Sequence, residues 1–331
     1  PRELAAPELG QLGMSRIIEG AKADLAALGI RYDVWFSEQS LFDRSLVSKV
    51  IDLLGERGHT DVREGALWFV SSALGEDKDN VLVRSNGVPG YFASDIAYHY
   101  NKLVERGFDR VIDVWGADHQ GHVPRMKAAM AALGIASERL TVIIHQLVTL
   151  RRGQEIVRMS KRTGDIITLK EVLEEVGADA CRFFFLSRTA DSQMDFDLEL
   201  AKEQSEKNPV YYVQYAHARI ASILQFAKER GIDFSDADVS LLTSEPEMAL
   251  VRKMLQLPEL VELAAQTLAP HHLPRYAQDL AAIFHSFYTL CRVVSAEDEA
   301  MTKARLRLVH AAKIVLANTL GLMGMSAPER M

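Results

Sequence analysis

The sequence predicts an α/β unit built on a parallel sheet, followed by an all-α bundle, with the change near residue 200. Three observations carry this. Before that point, short β-branched and aromatic runs alternate with helical patterns. After it, no strand pattern recurs. Four long helical patterns fill the rest of the chain.

Residues 31–36, 66–70 and 81–85 read as strands, and 94–106 as an amphipathic helix. A strand at 110–116 and a helix at 123–133 follow. Residues 141–150 and 155–159 read as a strand pair turned by Arg151-Arg152-Gly153-Gln154. Residues 169–176 and 179–187 read as helices, the first ended by Gly177. Beyond them the helical patterns are 209–230, 245–268, 273–294 and 297–323. Pro246, Pro258, Pro270 and Pro274 mark helix starts or kinks. Residues 231–244 are the most loop-like part of the bundle. The predicted division is therefore 1–200 and 201–331.

Composition narrows the function classes. Apolar residues make up 48% of the 331 and charged residues 25%, which excludes a disordered tail, a collagen-like repeat and a disulfide-stapled mini-protein. No run of about 18 uncharged apolar residues appears, so no membrane partner is expected. Cys181 and Cys291 lie far apart in apolar surroundings and read as reduced thiols of a cytoplasmic protein. A net charge of −7 argues against a broadly basic nucleic-acid binder but leaves room for a local basic face. The chain opens on Pro1-Arg2-Glu3-Leu4, with no initiator Met and no signal or transit character. It reads as beginning within a longer protein.

Three stretches carry chemistry. Arg158-Met159-Ser160-Lys161-Arg162-Thr163-Gly164 follows a strand and precedes a helix. A lysine there is a mobile point charge that follows phosphate oxygens, and arginine adds a fixed fork. Such cations offset charge growing on a leaving pyrophosphate; a solvated basic loop fits the same letters. Gly116-Ala117-Asp118-His119-Gln120-Gly121-His122 follows a strand directly, where α/β sheets place ligands. A glycine there lets a nucleotide approach the backbone, and a carboxylate accepts from ribose hydroxyls. The two histidines have no third ligand at a convincing spacing, so no metal site is assigned. In the third stretch, Tyr91 and Asp95 stand four residues apart at a helix start and can face the same way. A carboxylate near a helix start is also a common cap.

Taken together, the sequence resembles the C-terminal part of bacterial-type arginyl-tRNA synthetases, which are class I aminoacyl-tRNA synthetases. Residues 91–99, 116–119, 159–162, 177–185, 195–197 and 208–219 match that family's pattern in order. Residues 327–331 look like its natural C-terminus. The resemblance covers essentially the whole chain. It implies an incomplete Rossmann-like class I catalytic core followed by a helical-bundle anticodon-binding domain. It also implies an arginine–tRNA ligase, forming arginyl-adenylate from arginine and ATP and passing arginine to its tRNA. ATP is then a substrate, accompanied by Mg2+; arginine, ATP and arginine tRNA are the partners, with no DNA.

The resemblance assigns residues as well. Lys161, with Ser160 and Arg162, would form the catalytic signature loop, with Lys161 on the ATP phosphates and the Met159 backbone near adenine. Arg158 replaces the family's usual Lys. Gly116 and Asp118 would border ATP, with Asp118 on the ribose and His119 nearest the substrate arginine. His122 stands where the family often has an aromatic residue. Tyr91 and Asp95 would read the guanidinium, since a carboxylate accepts two parallel N–H bonds and a lysine cannot supply that fork. Tyr212 and Tyr215, with Tyr288 and Met331, would meet the anticodon bases. Tyr211, Tyr212 and Tyr215 also have near-helical spacing, which fits core packing equally. Arg219, Arg292, Arg305, Arg307 and Lys313 are candidate phosphate contacts.

The family's first signature, His-x-Gly-His, is expected upstream of Pro1. His119-Gln120-Gly121-His122 matches its letters, but after the wrong strand. On this reading the chain alone does not charge tRNA. Two other classes are weighed: a non-catalytic tRNA-binding module derived from the family, which would need neither Lys161 nor Tyr91 and Asp95, and an unrelated nucleotidyl-transfer enzyme, which would need no Tyr-rich helical tail.

Overall fold

The computed structural model describes residues 6–76, 78–157 and 167–331. The chain divides into two compact units. One comprises residues 32–147 with 190–193. The other comprises residues 1–31, 148–189 and 194–331. The chain opens with helix α1 (Ala6–Ala27), which belongs to the second unit.

In the first unit, residues 31–36 form no strand. Tyr32 and Trp35 are 59% and 42% exposed, and no described strand pairs with them. An apolar alternation without a neighbouring ladder leaves backbone groups to water. Two helices follow, α2 (Gln39–Asp43) and α3 (Leu46–Glu56). Three short strands, β1 (Thr60–Arg63), β2 (Ala66–Phe69) and β3 (Asn80–Val83), form an antiparallel meander. The β1–β2 link is Glu64-Gly65, with φ of 52° and 76°. Both central residues being left-handed matches the twist of a tight hairpin, and glycine lowers its cost. This meander departs from the all-parallel expectation.

Helix α4 (Tyr91–Tyr100) runs on into a π-helical turn, Asn101–Glu105. Strand β4 (Val111–Gly116) leads through the 3-10 turn Ala117–His122 into α5 (Val123–Ala132), and β5 (Leu140–His145) returns parallel to β4. Here the predicted strand–helix–strand crossover is present. The apolar side of α3 (Val47, Val50, Leu54) joins Phe69, Leu82, Ile96 and Met130 in one core.

The predicted strand 141–150 is two strands. β5 ends at His145, and β6 (Val148–Arg152) belongs to the second unit. β6 pairs antiparallel with β7 (Glu155–Ile156) through a turn at Gly153-Gln154 and parallel with β8 (Met194–Asp197). Helices α6 (Leu169–Val176), α7 (Ala178–Leu186) and α8 (Leu198–Lys202) surround this small sheet. Thr168 and Glu171 form a reciprocal capping box that starts α6. The Arg152 guanidinium and Lys202 hold the Glu175 carboxyl down at about 2.

The bundle consists of α9 (Pro209–Glu229), α10 (Glu245–Leu255), α11 (Leu257–Thr267), α12 (His272–Leu290) and α13 (Glu299–Leu322). The predicted helix 245–268 breaks at Gln256, because Pro258 has no N–H to return to the preceding turn. Asn208 caps α9 through its side-chain oxygen, and its amide donates to the Ala201 and Glu203 carbonyls. Tyr276, Phe284, Phe287, Leu306 and Leu316 fill the core.

The tail after α13 is clamped by side chains. Gly324 adopts φ 70°, and a Cβ there would run into the Arg182 guanidinium, which donates to the Met323 and Leu28 carbonyls. Asp179 accepts from the Ser326 backbone and hydroxyl, and Gln214 donates to Asp179 and the Ser326 carbonyl. His217 Nδ1 donates to the Pro328 carbonyl at 2.8 Å, while its buried Nε2 has no partner among the described residues.

Two predictions follow from this packing. Glu247 is 1% exposed and accepts from Arg305 Nε at 2.8 Å. Glu247→Ala strands the guanidinium in a largely buried site and is expected to cost about 3–5 kcal/mol, with Glu247→Gln costing less; urea unfolding measures both. Burial lowers the His217 pKa below its ordinary 6.5, with Lys313 adding to the effect and the Pro328 carbonyl and Glu329 opposing it. A histidine held neutral contributes stability above the unfolded pKa and loses it as pH falls toward the folded one. The melting temperature of His217→Gln should therefore fall less than that of the parent between pH 7.5 and 5.

Candidate functional site

The first unit contains a cleft of about 540 Å³ where the inner side of α4 meets β4 and the start of α5. Its walls are aromatic: Tyr32, Phe92, Tyr98 and Trp115. Its polar groups come from three elements. Asp95, His99 and Lys102 descend from α4 and its π-helical turn at spacings of four and three. Asp113 comes from β4. His119, His122 and Arg125 follow the end of β4.

Asp95 opens onto this cleft, and no described residue hydrogen-bonds its carboxylate oxygens. Partial burial pushes its carboxyl above the ordinary value; His99 opposes this, Glu38 adds to it, and His122 and Arg125 also oppose it. Tyr91 is 79% exposed at the start of α4 and is not among the lining residues. The two predicted guanidinium readers thus share a helix, but only Asp95 reaches the cleft. Asp95 is not the helix cap either: Gly90 precedes the helix, and the Ser94 hydroxyl donates to Glu38 at 2.5 Å.

Asp113 is largely buried. Burial alone would raise its carboxyl, but the hydrogen bond to His99 and the Lys102 ammonium outweigh it and hold it below its ordinary value. His99 Nδ1 donates to the Asp95 main-chain carbonyl at 2.7 Å, and Nε2 meets Asp113 at 2.5 Å. Trp115 lies edge-on to the His99 ring at 6.3 Å.

At the end of β4 stands Gly116, in extended backbone that any residue adopts. A Cβ there would come within 2.6 Å of an oxygen of the exposed Asp118 carboxylate. His119 Nε2 stands 3.5 Å from Asp118, and the His119 and His122 rings meet edge to face at 5.4 Å. His119 and His122 line the cleft; Gly116 and Asp118 do not. Burial, with Arg125 and His119, lowers the His122 pKa. Among the described residues no group of three or more His, Cys, Asp or Glu side chains could hold a metal ion. Arg158, Met159, Ser160, Lys161 and Arg162 lie outside the described residues.

The second unit carries a cleft of about 610 Å³ between α9 and α12, lined by Tyr212, Tyr215, Arg219, His285 and Tyr288 among others. Tyr212 and Tyr288 also pack on the bundle core, so the two readings of these tyrosines are not exclusive. Tyr215 stacks nearly parallel to Tyr211, with centroids 6.0 Å apart and an 8° tilt. The Arg219 guanidinium lies 4.4 Å from the Tyr288 ring and 5.6 Å from Tyr215. His285, unnoticed in the sequence, sits 5.0 Å from Tyr212, and burial lowers its pKa. Met331 is 55% exposed at the end of the clamped tail and does not line this cleft.

The candidate phosphate contacts divide. Arg305 is committed to Glu247 and the Arg292 carbonyl, and Lys313 to Glu329 at 2.5 Å. These two are structural ties rather than free cations. Arg292 donates to the Val294 carbonyl, and Arg307 is exposed on α13.

Sequence reasoning passed over His99, Lys102, Asp113 and Arg125. A signal existed for two of them, because His99 and Lys102 lie four and seven residues after Asp95 on one helix side. Nothing local points to Asp113, whose place depends on how β4 meets α4.

Comparisons with known proteins extend over nearly the whole chain. A family model described as the catalytic domain of class I tRNA synthetases (R) matches residues 10–221, and one for the DALR anticodon binding domain matches 213–331. An arginine–tRNA ligase of Dehalococcoides mccartyi is 59% identical over 331 residues, covering all of this chain and 59% of the relative. A Campylobacter jejuni crystal structure named for an arginyl-tRNA synthetase superposes with a TM-score of 0.90 at 34% identity, over 98% of this chain and 70% of that one. The Thermus thermophilus arginyl-tRNA synthetase gives 0.85 at 26% identity, over 97% and 64%. The chain therefore spans about 59% of the length of the curated relatives it matches. No described helix is long and apolar enough to cross a membrane.

Proposed function

The chain belongs to the class I arginyl-tRNA synthetase family, and on that premise we propose that it works as part of an arginine–tRNA ligase, with arginine read in the α4–β4 cleft. The observation that carries this is Asp95, a carboxylate with no hydrogen bond to its oxygens among the described residues, opening into an aromatic-walled cleft. A guanidinium is planar, weakly hydrated and able to give two parallel N–H bonds to one carboxylate while its faces rest on aromatic rings. His119 at the mouth is the neighbour nearest the rest of the amino acid. Tyr91, exposed at the helix start, adds its hydroxyl or ring face from outside the walls.

The reaction joins an arginine carboxylate oxygen to the α-phosphorus of ATP and breaks the bond to pyrophosphate. A ribose hydroxyl of the tRNA then attacks the resulting anhydride and releases AMP. Gly116 and Asp118 at the strand end border the nucleotide, Asp118 accepting from ribose hydroxyls. Met159 meets adenine through its backbone. Lys161, with Ser160 and Arg162, steadies charge on the departing pyrophosphate. Mg2+ enters with the ATP phosphates, which bring their own oxygen ligands.

We assign the chemistry to residues 1–200 and recognition of the arginine tRNA anticodon to 201–331. Tyr215 offers an exposed ring to a splayed base, with Tyr212, Tyr288 and Met331 as further contacts and Arg219 beside them. The reading places the protein in the cytoplasm, where translation takes place.

Two measurements test this. Asp95→Ala should weaken L-arginine binding by about 2–5 kcal/mol, since one partner of a charged hydrogen-bonded pair is lost. The exposed side of Asp95 leaves part of its charge hydrated, which puts the expected loss at the lower end of that range; chemical-shift titration of the chain reads it, and unchanged affinity defeats the assignment. Lys161→Ala, in a protein carrying the full length of its relatives, should slow pyrophosphate exchange at saturating arginine while leaving arginine affinity nearly intact, because its charge matters most as pyrophosphate departs. An unaltered exchange rate would move the phosphate contact to Arg158 or Arg162.

A further inference from the structure

The cleft has two carboxylates lining it, and they are in opposite states. Asp95 has no hydrogen bond to its oxygens among the described residues. Asp113 has both oxygens taken, Oδ1 by the Lys102 ammonium at 2.5 Å and Oδ2 by His99 Nε2 at 2.5 Å. Resting on the reading of Asp95 as the guanidinium acceptor, we infer that the Lys102–Asp113–His99 network makes the cleft selective for arginine over lysine by withdrawing its second carboxylate from competition.

The geometry fixes each member. A main-chain carbonyl only accepts, so His99 Nδ1 must carry a hydrogen toward the Asp95 carbonyl, which settles the ring's orientation. Nε2 then faces Asp113 Oδ2 at 2.5 Å. Lys102 is held from a second side, its ammonium 4.7 Å from the Tyr98 ring, which in turn stacks on Phe36 at 4.3 Å. The other cleft cation, Arg125, donates to Asn80 at 2.9 Å and lies over the Phe92 ring.

The two substrates differ where this matters. A guanidinium needs two oxygens in one plane, which Asp95 offers. A lysine ammonium is a compact point charge that gains nothing from two coplanar oxygens, so Asp95 holds it less well than a guanidinium, and a second carboxylate left free would favour it. The place in this cleft best suited to an ammonium, beside Asp113 Oδ1 and over the Tyr98 ring, is already filled by the protein's own ammonium. Lys102 therefore acts as an internal competitor for lysine, and the discrimination lies in a position denied to the wrong ligand as much as in one offered to the right one.

Chemical-shift titration of the 15N-labelled chain with L-arginine and L-lysine tests this into the millimolar range. The parent is expected to bind arginine at least about tenfold more tightly than lysine. Lys102→Met should raise lysine affinity about tenfold and move arginine affinity by less than about threefold. Adding Asp113→Asn to that variant should abolish the lysine gain, which a merely loosened fold would not do. Lys102→Gln keeps a donor without the charge and should give a smaller gain; it decides the matter if the methionine variant does not fold. An unchanged arginine-to-lysine ratio in folded Lys102 variants overturns the inference while leaving the Asp95 reading intact. A parent that binds no arginine overturns both.

Discussion

The contact on which the first unit's architecture turns is the burial of the Asp113 carboxylate against His99 and Lys102. A lone charge at this depth on a strand would be costly, and attraction to a partner offsets that cost only when the geometry is good and the remaining lone pairs are satisfied. Here both oxygens are met, and both partners lie on a single helical segment. The strand and the helix are consequently pinned to one another in register, side chain to side chain, where apolar packing alone would tolerate sliding. That register brings Asp95, four residues before His99, to the same cleft as His119, six residues after Asp113.

The π-helical turn that ends this helix belongs to the same logic. Extra residues in a helical turn are uncommon and collect at sites where a side chain must be re-aimed. This turn contains Lys102, whose ammonium reaches Asp113, and Asn101, whose amide donates to Glu105.

In the second unit the same economy of polar groups serves the tail. Asp179 on α7 and Gln214 and His217 on α9 each spend their hydrogen bonds on residues 326–328. A segment without regular structure would otherwise leave its carbonyls unpaired against a packed bundle. The aromatic group at Tyr215, Arg219, His285 and Tyr288 lies on the neighbouring stretch of α9 and on α12. There, ring stacking and a guanidinium over two ring faces order side chains that stay open to solvent on one side.

The sequence by itself determined what short-range physics controls. Helix starts were legible because capping is local: Thr168 with Glu171 and Asn208 before Pro209 mark their helices within four residues. The change from mixed to helical patterns near residue 200 was legible because strand and helix periods differ, and motif resemblance singled out Asp95, His119, Tyr212 and Tyr215, of which the first two line one cleft and the last two another. Tertiary structure decided the rest. Whether residues 31–36 or 60–63 become a strand depends on which finds a neighbour to complete its hydrogen bonds, and only β1 does. Whether 141–150 is one strand or two depends on two sheets in different units. Arg305 and Lys313 looked like free cations because a charge in a sequence carries no record of the carboxylate that will meet it. Asp113 looked like one acid in an apolar strand for the same reason: its role arises from helical residues 11 and 14 positions upstream, and burial turns that meeting into a constraint on the whole cleft.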